Sequence, residues 1–126
     1  MTVLDASAVL AFLQGESGAE SVEKVLETGE AVCGAANWSA VAQKVLQRGG
    51  DWDLARALLL SYDISIEPVG VADAEQAARL WASHPSLSLG DRLCLALANR
   101  RRAVALTADA AWGTGERVRQ IRNSSS

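Results

Sequence analysis

Residues 1–13 read MTVLDASAVLAFL, and this stretch indicates how the chain folds. Its first four residues form a short apolar run that ends at Asp5. The apolar residues that follow, from Ala8 to Leu13, have the composition of a buried helix. The stretch therefore predicts a buried strand, a helix directly after it, and one carboxylate at the junction between them.

The same alternation of strand and helix continues along the chain. Further short apolar runs predict strands, and segments with apolar residues at helical spacing lie between them. These strands are predicted at residues 30–35, 64–67, 103–106 and 118–121. Because strand-helix-strand connections favour parallel pairing, we predict a three-layer α/β domain with a central parallel sheet of four or five strands and helices on both faces. We assign residues 1–122 to this domain and residues 123–126 to a disordered tail or an expression remnant.

Composition limits the classes of function. The 12 basic and 15 acidic residues give a net charge of -3, which argues against a surface devoted entirely to nucleic acid. The dense basic run Arg100 to Arg102 has two interpretations, a contact with phosphate or a partner and a solvated helix end whose cations offset the helix dipole. We find no apolar run near the roughly 20 residues of a membrane helix, and we expect a cytoplasmic protein without a membrane partner. Cys33 and Cys94 are predicted to be reduced core thiols.

Three aspartates lie where ligands bind in open α/β sheets, beside the carboxyl ends of strands. Asp5 follows the first strand, Asp109 follows the fourth, and Asp91 begins the helix that leads into the fourth. Each also has a local explanation, because Asp5 can cap a helix, Asp91 can form a capping box with Ser88, and Asp109 can hold a turn. Together, clustered carboxylates favour Mg²⁺ or Mn²⁺, and such sites are typical of phosphodiester hydrolysis.

Four segments, in order, resemble the motifs of PIN-domain ribonucleases, and specifically of VapC-type toxins from toxin-antitoxin pairs. They span nearly the whole chain, so the likeness is stronger than any single motif would make it. The four segments are Val3-Leu4-Asp5-Ala6-Ser7-Ala8, Asn37-Trp38-Ser39-Ala40-Val41, Leu87-Ser88-Leu89-Gly90-Asp91-Arg92 and Leu106-Thr107-Ala108-Asp109.

The resemblance implies a metal-dependent endoribonuclease toxin and assigns roles to particular residues. The residues that it implies are Asp5, Asp91 and Asp109 as the catalytic ligands of Mg²⁺ or Mn²⁺, with Ser7, Asn37 and Thr107 supporting the metal shell or the substrate phosphate. It also implies an RNA substrate, a homodimer, and a VapB-type antitoxin whose C-terminal segment covers the groove and places a basic residue in the acidic site.

Position 40 departs from the family pattern, because alanine stands where the family has glutamate. We predict that Asn37 caps the helix that follows it and that glutamate at position 40 would complete a capping box. We interpret Ala40 as an engineered inactivating change, with a naturally degenerate site as the alternative. Two other readings stay open at this point. One is a module that only binds antitoxin or RNA, and the other is a phosphoacceptor signalling domain.

Overall fold

The computed structural model describes residues 1–122, so the predicted tail at 123–126 lies outside the described residues. Strands and helices alternate along the described chain, as predicted. The elements are β1 Thr2–Leu4, α1 Ala6–Gln14, α2 Ala19–Glu27, β2 Ala31–Gly34, α3 Ala35–Gln47, α4 Trp52–Leu60, β3 Ser65–Glu67, α5 Val71–Leu80, α6 Leu89–Arg101, β4 Val104–Thr107 and β5 Val118–Gln120.

The five strands form one parallel sheet in the order β3-β2-β1-β4-β5. The central strand is β1, where Val3 pairs with Val32 of β2 on one side and with Ala105 of β4 on the other. The chain moves outward from β1 to β3 and then crosses to β4, so the strand order reverses between β1 and β4. Ligands bind at such a reversal in open α/β sheets. The fold therefore places the ends of β1 and β4 beside a candidate site.

Alternate residues of the strands face two apolar layers, as the period of a β-strand requires. One layer holds Leu4 and Leu106 together with buried residues of α1 and α2. The other holds Val3 and Ala105 together with buried residues of α6, including Cys94. Helices thus cover both faces of the sheet, which confirms the predicted three-layer architecture. Cys33 and Cys94 are both buried and free, as predicted.

Local backbone chemistry explains how α1 begins and ends. The Asp5 side chain accepts a hydrogen bond from the Ala8 amide, which satisfies one of the amide groups left unpaired at the start of a helix. Gly15 ends α1 with φ of 64°, in the left-handed region that glycine adopts without a steric penalty. The predicted junction between the first strand and the first helix is therefore present.

The prediction that Asn37 caps the third helix is wrong. Helix α3 begins at Ala35, and its N-cap is Gly34, which makes no side-chain cap bond. Asn37 is the third residue of the helix and only 4% exposed, and its amide makes tertiary hydrogen bonds instead. Alanine is a strong helix former, so Ala35 and Ala36 extend the helix past the point where the asparagine was expected to start it.

Within residues 1–122, each helix is too short or too polar to cross a bilayer. The longest described helices, α3 and α6, contain 13 residues each, whereas a membrane span needs about 20.

Candidate functional site

Asp5 lies at the centre of the candidate site, where β1 ends beside β4. Its side chain is almost fully enclosed, with the residue 1% exposed, and each of its oxygens accepts hydrogen bonds. The Ser7 hydroxyl donates at 2.8 Å, the Ala8 amide donates at 2.8 Å, and the Thr107 hydroxyl donates at 2.5 Å. A buried carboxyl group with this many donors is held in one orientation.

Burial raises the pKa of Asp5 to about 6 from its ordinary value of 3.8. Removal of water from the carboxylate is the largest cause, and the negative charge of Asp91 raises the pKa further. The hydrogen bonds from Thr107, Ala8 and Ser7 act in the opposite direction, because they stabilise the charged form. No basic side chain among residues 1–122 forms an ion pair with Asp5, and the negative charge of Asp91 acts on it.

Asp91 sits at the start of α6 and forms the predicted capping box. The Ser88 amide donates to Asp91 Oδ2 at 3.1 Å, and the Asp91 amide donates to Ser88 Oγ at 3.1 Å. The box leaves Asp91 Oδ1 without a hydrogen bond from the described residues. Asp91 can therefore cap α6 with one carboxylate oxygen while the other stays available to the site.

Two hydroxyl groups connect Asp5 to the loop after β4. Ser7 Oγ accepts a hydrogen bond from the Ala108 amide at 2.9 Å, and Thr107 Oγ1 accepts one from the Asp109 amide at 3.0 Å. Both hydroxyls also donate to Asp5, so they connect the Asp5 carboxylate to the backbone of the loop after β4. The Asp109 side chain is exposed, and its Oδ1 accepts from the Ala111 amide at 2.9 Å. The predicted turn at Asp109 is therefore present.

Asn37 joins α3 to the other side of the site. Its Oδ1 accepts from the Ala6 amide at 3.0 Å, and its Nδ2 donates to the Gly90 carbonyl at 3.1 Å. The Ala6 amide follows Asp5, and the Gly90 carbonyl precedes Asp91, so one side chain ties together the segments that carry both carboxylates. Ala40 lies three residues further along α3, on the same helix face as Asn37.

One further polar side chain in this region belongs to none of the sequence motifs. Gln120, the last residue of β5, donates through Nε2 to the Asp109 carbonyl at 3.0 Å and to the Gly113 carbonyl at 2.8 Å. Sequence reasoning missed it, since a single glutamine at the end of an edge strand is ordinary. Its pairing in register with Thr107 is a property of the sheet and becomes visible only in the structure.

Comparison with protein families gives a match over most of the chain. The PIN domain family model matches residues 2–114. The chain belongs to the PIN domain family. Comparison with curated protein sequences gives no significant match.

Solved structures share the fold of this PIN domain. A toxin-antitoxin complex from Klebsiella pneumoniae contains a chain that superposes with a TM-score of 0.78 at 17% identity, covering 98% of this chain and 99% of that one. VapC20 of Mycobacterium tuberculosis, a toxin that cleaves the sarcin-ricin loop, superposes with a TM-score of 0.72 at 18% identity, covering 92% and 98% respectively. These likenesses confirm the predicted PIN-like α/β fold.

The carboxylates of Asp5, Asp91 and Asp109 are of the ligand type that Mg²⁺ and Mn²⁺ prefer. Asp91 and Asp109 each keep one carboxylate oxygen free of hydrogen bonds from the described residues, and Asp5 supplies a buried negative charge. In the arrangement of residues 1–122, however, no three histidine, cysteine, aspartate or glutamate side chains are close enough to hold an ion together. Among residues 1–122, Asn37 bridges the segments that carry Asp5 and Asp91, whereas the backbone of Asp109 is linked to Asp5 through the Thr107 hydroxyl.

Proposed function

We propose that this PIN domain is a VapC-type toxin, a metal-dependent endoribonuclease whose activity is reduced or abolished by alanine at position 40. The observation that carries the proposal is the buried Asp5 carboxylate at the strand-order reversal, with its pKa raised by burial and by the charge of Asp91. Perturbed carboxylates in this position are characteristic of functional sites. The PIN family and the fold of the two toxin structures support the same assignment.

In this proposal Asp5, Asp91 and Asp109 hold Mg²⁺ or Mn²⁺, and the chain supports them through hydrogen bonds. A bound divalent ion supplies Lewis acidity toward a phosphodiester and lowers the pKa of a water molecule beside it. The Ser7 and Thr107 hydroxyls orient the Asp5 carboxylate, which favours its charged, ligating form. Asn37 holds the start of α6 against the end of β1 and thereby sets the separation between Asp5 and Asp91.

The position of Ala40 supports its assignment as the site of the missing glutamate. Helical side chains lean toward the N-terminus of their helix, so a longer side chain at position 40 points back toward the turn that carries Asn37. That turn touches the segments beside Asp5 and Asp91. A carboxylate at position 40 would therefore add negative charge near the segments that carry Asp5 and Asp91. We propose that the alanine is an engineered change, and a naturally degenerate site is the alternative.

An apolar groove on the outside of the domain supports a protein partner. The ends of α1, α3 and α4 form it, and Leu54 and Leu58 of α4 are 69% and 44% exposed. Leu13, Val45 and Ala55 complete its apolar lining. Exposed apolar surface of this kind is typical of interaction sites. We propose that a VapB-type antitoxin occupies such a surface in the cytoplasm, that the toxin forms a homodimer, and that RNA is the substrate.

One alternative has its own supporting observation. Without a glutamate at position 40, the described residues provide no ready group of three ligands, which favours a module that binds antitoxin or RNA without cutting it. The phosphoacceptor alternative fits poorly. Such a domain needs paired acids after the first strand and an aspartate after the third, whereas Asp5 has no acidic neighbour, and β3 ends in Glu67, which forms an ion pair with Arg101 at 2.9 Å.

The test introduces a carboxylate at position 40 and measures RNA cleavage and metal binding independently. We expect Ala40→Glu to cleave RNA in the presence of Mn²⁺ or Mg²⁺ and to lose this activity with EDTA. We also expect Mn²⁺ to raise the unfolding temperature of Ala40→Glu more than that of the unchanged chain, because ligands that bind only the folded state stabilise it. Ala40→Gln is the matched control, since it has the same shape without the charge.

The outcomes separate the alternatives. Cleavage by Ala40→Glu alone supports an inactivated nuclease, and sequencing of RNA ends in cells that express this variant would then identify the target. A variant that binds RNA or antitoxin but neither cleaves nor responds to Mn²⁺ favours the binding module. If Ala40→Gln cleaves RNA as well as Ala40→Glu does, a carboxylate at position 40 is not the missing group.

A further inference from the structure

A hollow with a volume of about 700 Å³ lies between α2 and the edge strand β5. This volume is within the range of small-molecule sites, which is roughly 300–1,000 Å³. Ser21, Lys24 and Thr28 form the wall on the side of α2, and Arg119 belongs to the wall on the side of β5. None of the three aspartates of the candidate site lines the hollow, so it is a separate feature of the domain.

Helix α2 turns hydroxyl groups toward this hollow and its acids away from it. At about 3.6 residues per turn, Ser21, Val25 and the capping residue Thr28 lie on one face, and Lys24 lies at the edge of that face. The three glutamates of α2 are on the remaining surface of the helix, and none of them lines the hollow. The sequence of the helix therefore separates the hollow from the nearest negative charges.

Strand β5 contributes a second cation on the same face of the sheet. Arg119 pairs in register with Leu106, whose side chain lies in the apolar layer that α1 and α2 cover. Residues at the same level of neighbouring strands point to the same face, so Arg119 is directed to the side of α2. Ile121, two residues further along, is buried in that layer, whereas Arg119 is exposed beside it. The guanidinium group therefore faces α2 across the hollow.

Close packing holds the two walls together at one end of the hollow. A Cβ atom on Gly18, at the start of α2, would lie only 2.7 Å from Ile121 Cγ1, and φ of 91° at this position also favours glycine. Arg122 Nε donates to the Ser17 carbonyl at 3.4 Å, next to this contact. The walls are thus fixed by the fold, and a ligand would not have to bring them together.

The charge of the hollow is entirely positive. Lys24, Arg119 and Arg122 line it, and no aspartate or glutamate among residues 1–122 does. None of these three cations takes part in the ion pairs found in that part of the chain. Val25 and Val118 add apolar surface between them. Lysine and arginine bind phosphate oxygens through charge-assisted hydrogen bonds, and apolar surface suits the base of a nucleotide.

We propose that this hollow binds a phosphorylated nucleoside, either as a free mononucleotide or as one unit of an RNA strand. Lys24 and Arg119 hold the phosphate from opposite walls, and the base lies against the apolar surface. Gln120 lines the hollow and also donates to the Asp109 carbonyl at 3.0 Å, so an RNA strand held here would continue to the loop after β4. The inference goes beyond the proposed function, because it assigns a nucleotide site away from Asp5 and requires no cleavage.

Isothermal titration calorimetry of the full chain in EDTA tests the proposal with adenosine monophosphate, single-stranded oligoadenylate and inorganic phosphate. Without a divalent cation the carboxylates around Asp5 repel phosphate, so binding there does not interfere. We expect Lys24→Gln and Arg119→Gln each to raise the dissociation constant of adenosine monophosphate roughly fivefold. Arg56→Gln is the matched control, because Arg56 is exposed on α4, outside the hollow. We expect it to leave the constant unchanged.

The three probes identify the source of the nucleotide. Tighter binding of oligoadenylate than of adenosine monophosphate, with a salt dependence that falls by about 0.7 in Arg119→Gln, identifies an RNA strand as the ligand. Equal affinities identify a free mononucleotide. The proposal is overturned if adenosine monophosphate does not bind, if inorganic phosphate binds as tightly, or if Arg56→Gln weakens binding as much as Arg119→Gln does. If Arg119→Gln fails to fold, Lys24→Gln on the exposed side of α2 carries the test.

The same measurements distinguish failure of this inference from failure of the proposed function. If Ala40→Glu cleaves RNA but adenosine monophosphate does not bind to the hollow, the nuclease assignment stands and only the nucleotide site is overturned. If Ala40→Glu does not cleave RNA but Arg119→Gln weakens nucleotide binding, the nucleotide site stands without the nuclease assignment.

Discussion

Ionisation of Asp5 should make the stability of this PIN domain fall as pH rises toward neutrality. Folding buries the carboxyl group and raises its pKa from 3.8 to about 6. The folded state therefore holds the proton more tightly than the unfolded state between these two values, and it loses stability as the pH rises through this window. This is opposite to the usual behaviour of a salt-bridged aspartate, whose pKa is lowered on folding.

The size of the effect follows from the same two pKa values. One pKa unit corresponds to about 1.4 kcal/mol, so the fully ionised group costs about 3 kcal/mol at neutral pH. The linkage relation then makes the contribution of Asp5 more favourable at pH 4.5 than at pH 7.5 by about 2 kcal/mol. Asp5 is 1% exposed, so solvent screening reduces this value less than it would at the surface.

Urea unfolding in EDTA at pH 4.5 and pH 7.5 measures the effect, with Asp5→Asn as the reference. The asparagine has nearly the same size, retains a carbonyl oxygen for the Ala8 amide, and does not titrate. Carboxylates distant from Asp5 contribute equally to both proteins, so the difference between the two pH dependences reports Asp5 together with its repulsion of Asp91. An identical pH dependence in the two proteins would refute the reasoning. At pH 7.5 we also expect a bound divalent ion to remove part of the penalty, because it neutralises the buried charge.

Two further predictions concern the segments around the site. Asn37→Ala removes both tertiary hydrogen bonds of a buried amide and should lower the free energy of unfolding, measured in urea, by about 2 kcal/mol. Gln43→Ala, on the exposed side of α3, is the control and should change this free energy little. Equal effects of the two substitutions would contradict the bridging role of Asn37. Ser88→Ala opens the capping box with Asp91 and should cost about 1 kcal/mol, with the nearby exposed Ser86→Ala as the control. A Ser88→Ala variant as stable as this control would show that the box contributes nothing.

Residue periodicity was sufficient to predict the three-layer α/β class of this chain, and the motif resemblance predicted the PIN-like fold. Short apolar runs and helical spacing placed each of the five strands and their parallel pairing, because βαβ connections allow few other arrangements. The capping box at Ser88 and the cap at Asp5 were also confirmed, since these motifs depend on residues three positions apart. Features that depend on short sequence separations are therefore the ones that sequence reasoning recovered.

The parts of the site that sequence reasoning missed depend on long sequence separations. Asn37 bonds groups 31 and 53 residues away, and Thr107 bonds Asp5 across 102 residues. Motif resemblance singled out these side chains, but their partners could not be predicted from local patterns. The prediction that Asn37 caps a helix was wrong for this reason. The residue type suits a cap, whereas tertiary contacts at the end of β1 and the start of α6 determine its actual use.

This error changes the meaning of the alanine at position 40. With Gly34 as the cap of α3, glutamate at position 40 would not complete a capping box, so helix formation gives no reason for an acid there. Alanine also has the highest helix propensity, so α3 loses nothing locally by carrying it. What remains is the common helix face with Asn37, which contacts the segments beside Asp5 and Asp91. A carboxylate there would increase the repulsion that already raises the pKa of Asp5. Such an arrangement is favourable only when a cation is bound, and the response of Ala40→Glu to Mn²⁺ therefore tests the metal assignment more directly than the cleavage of RNA.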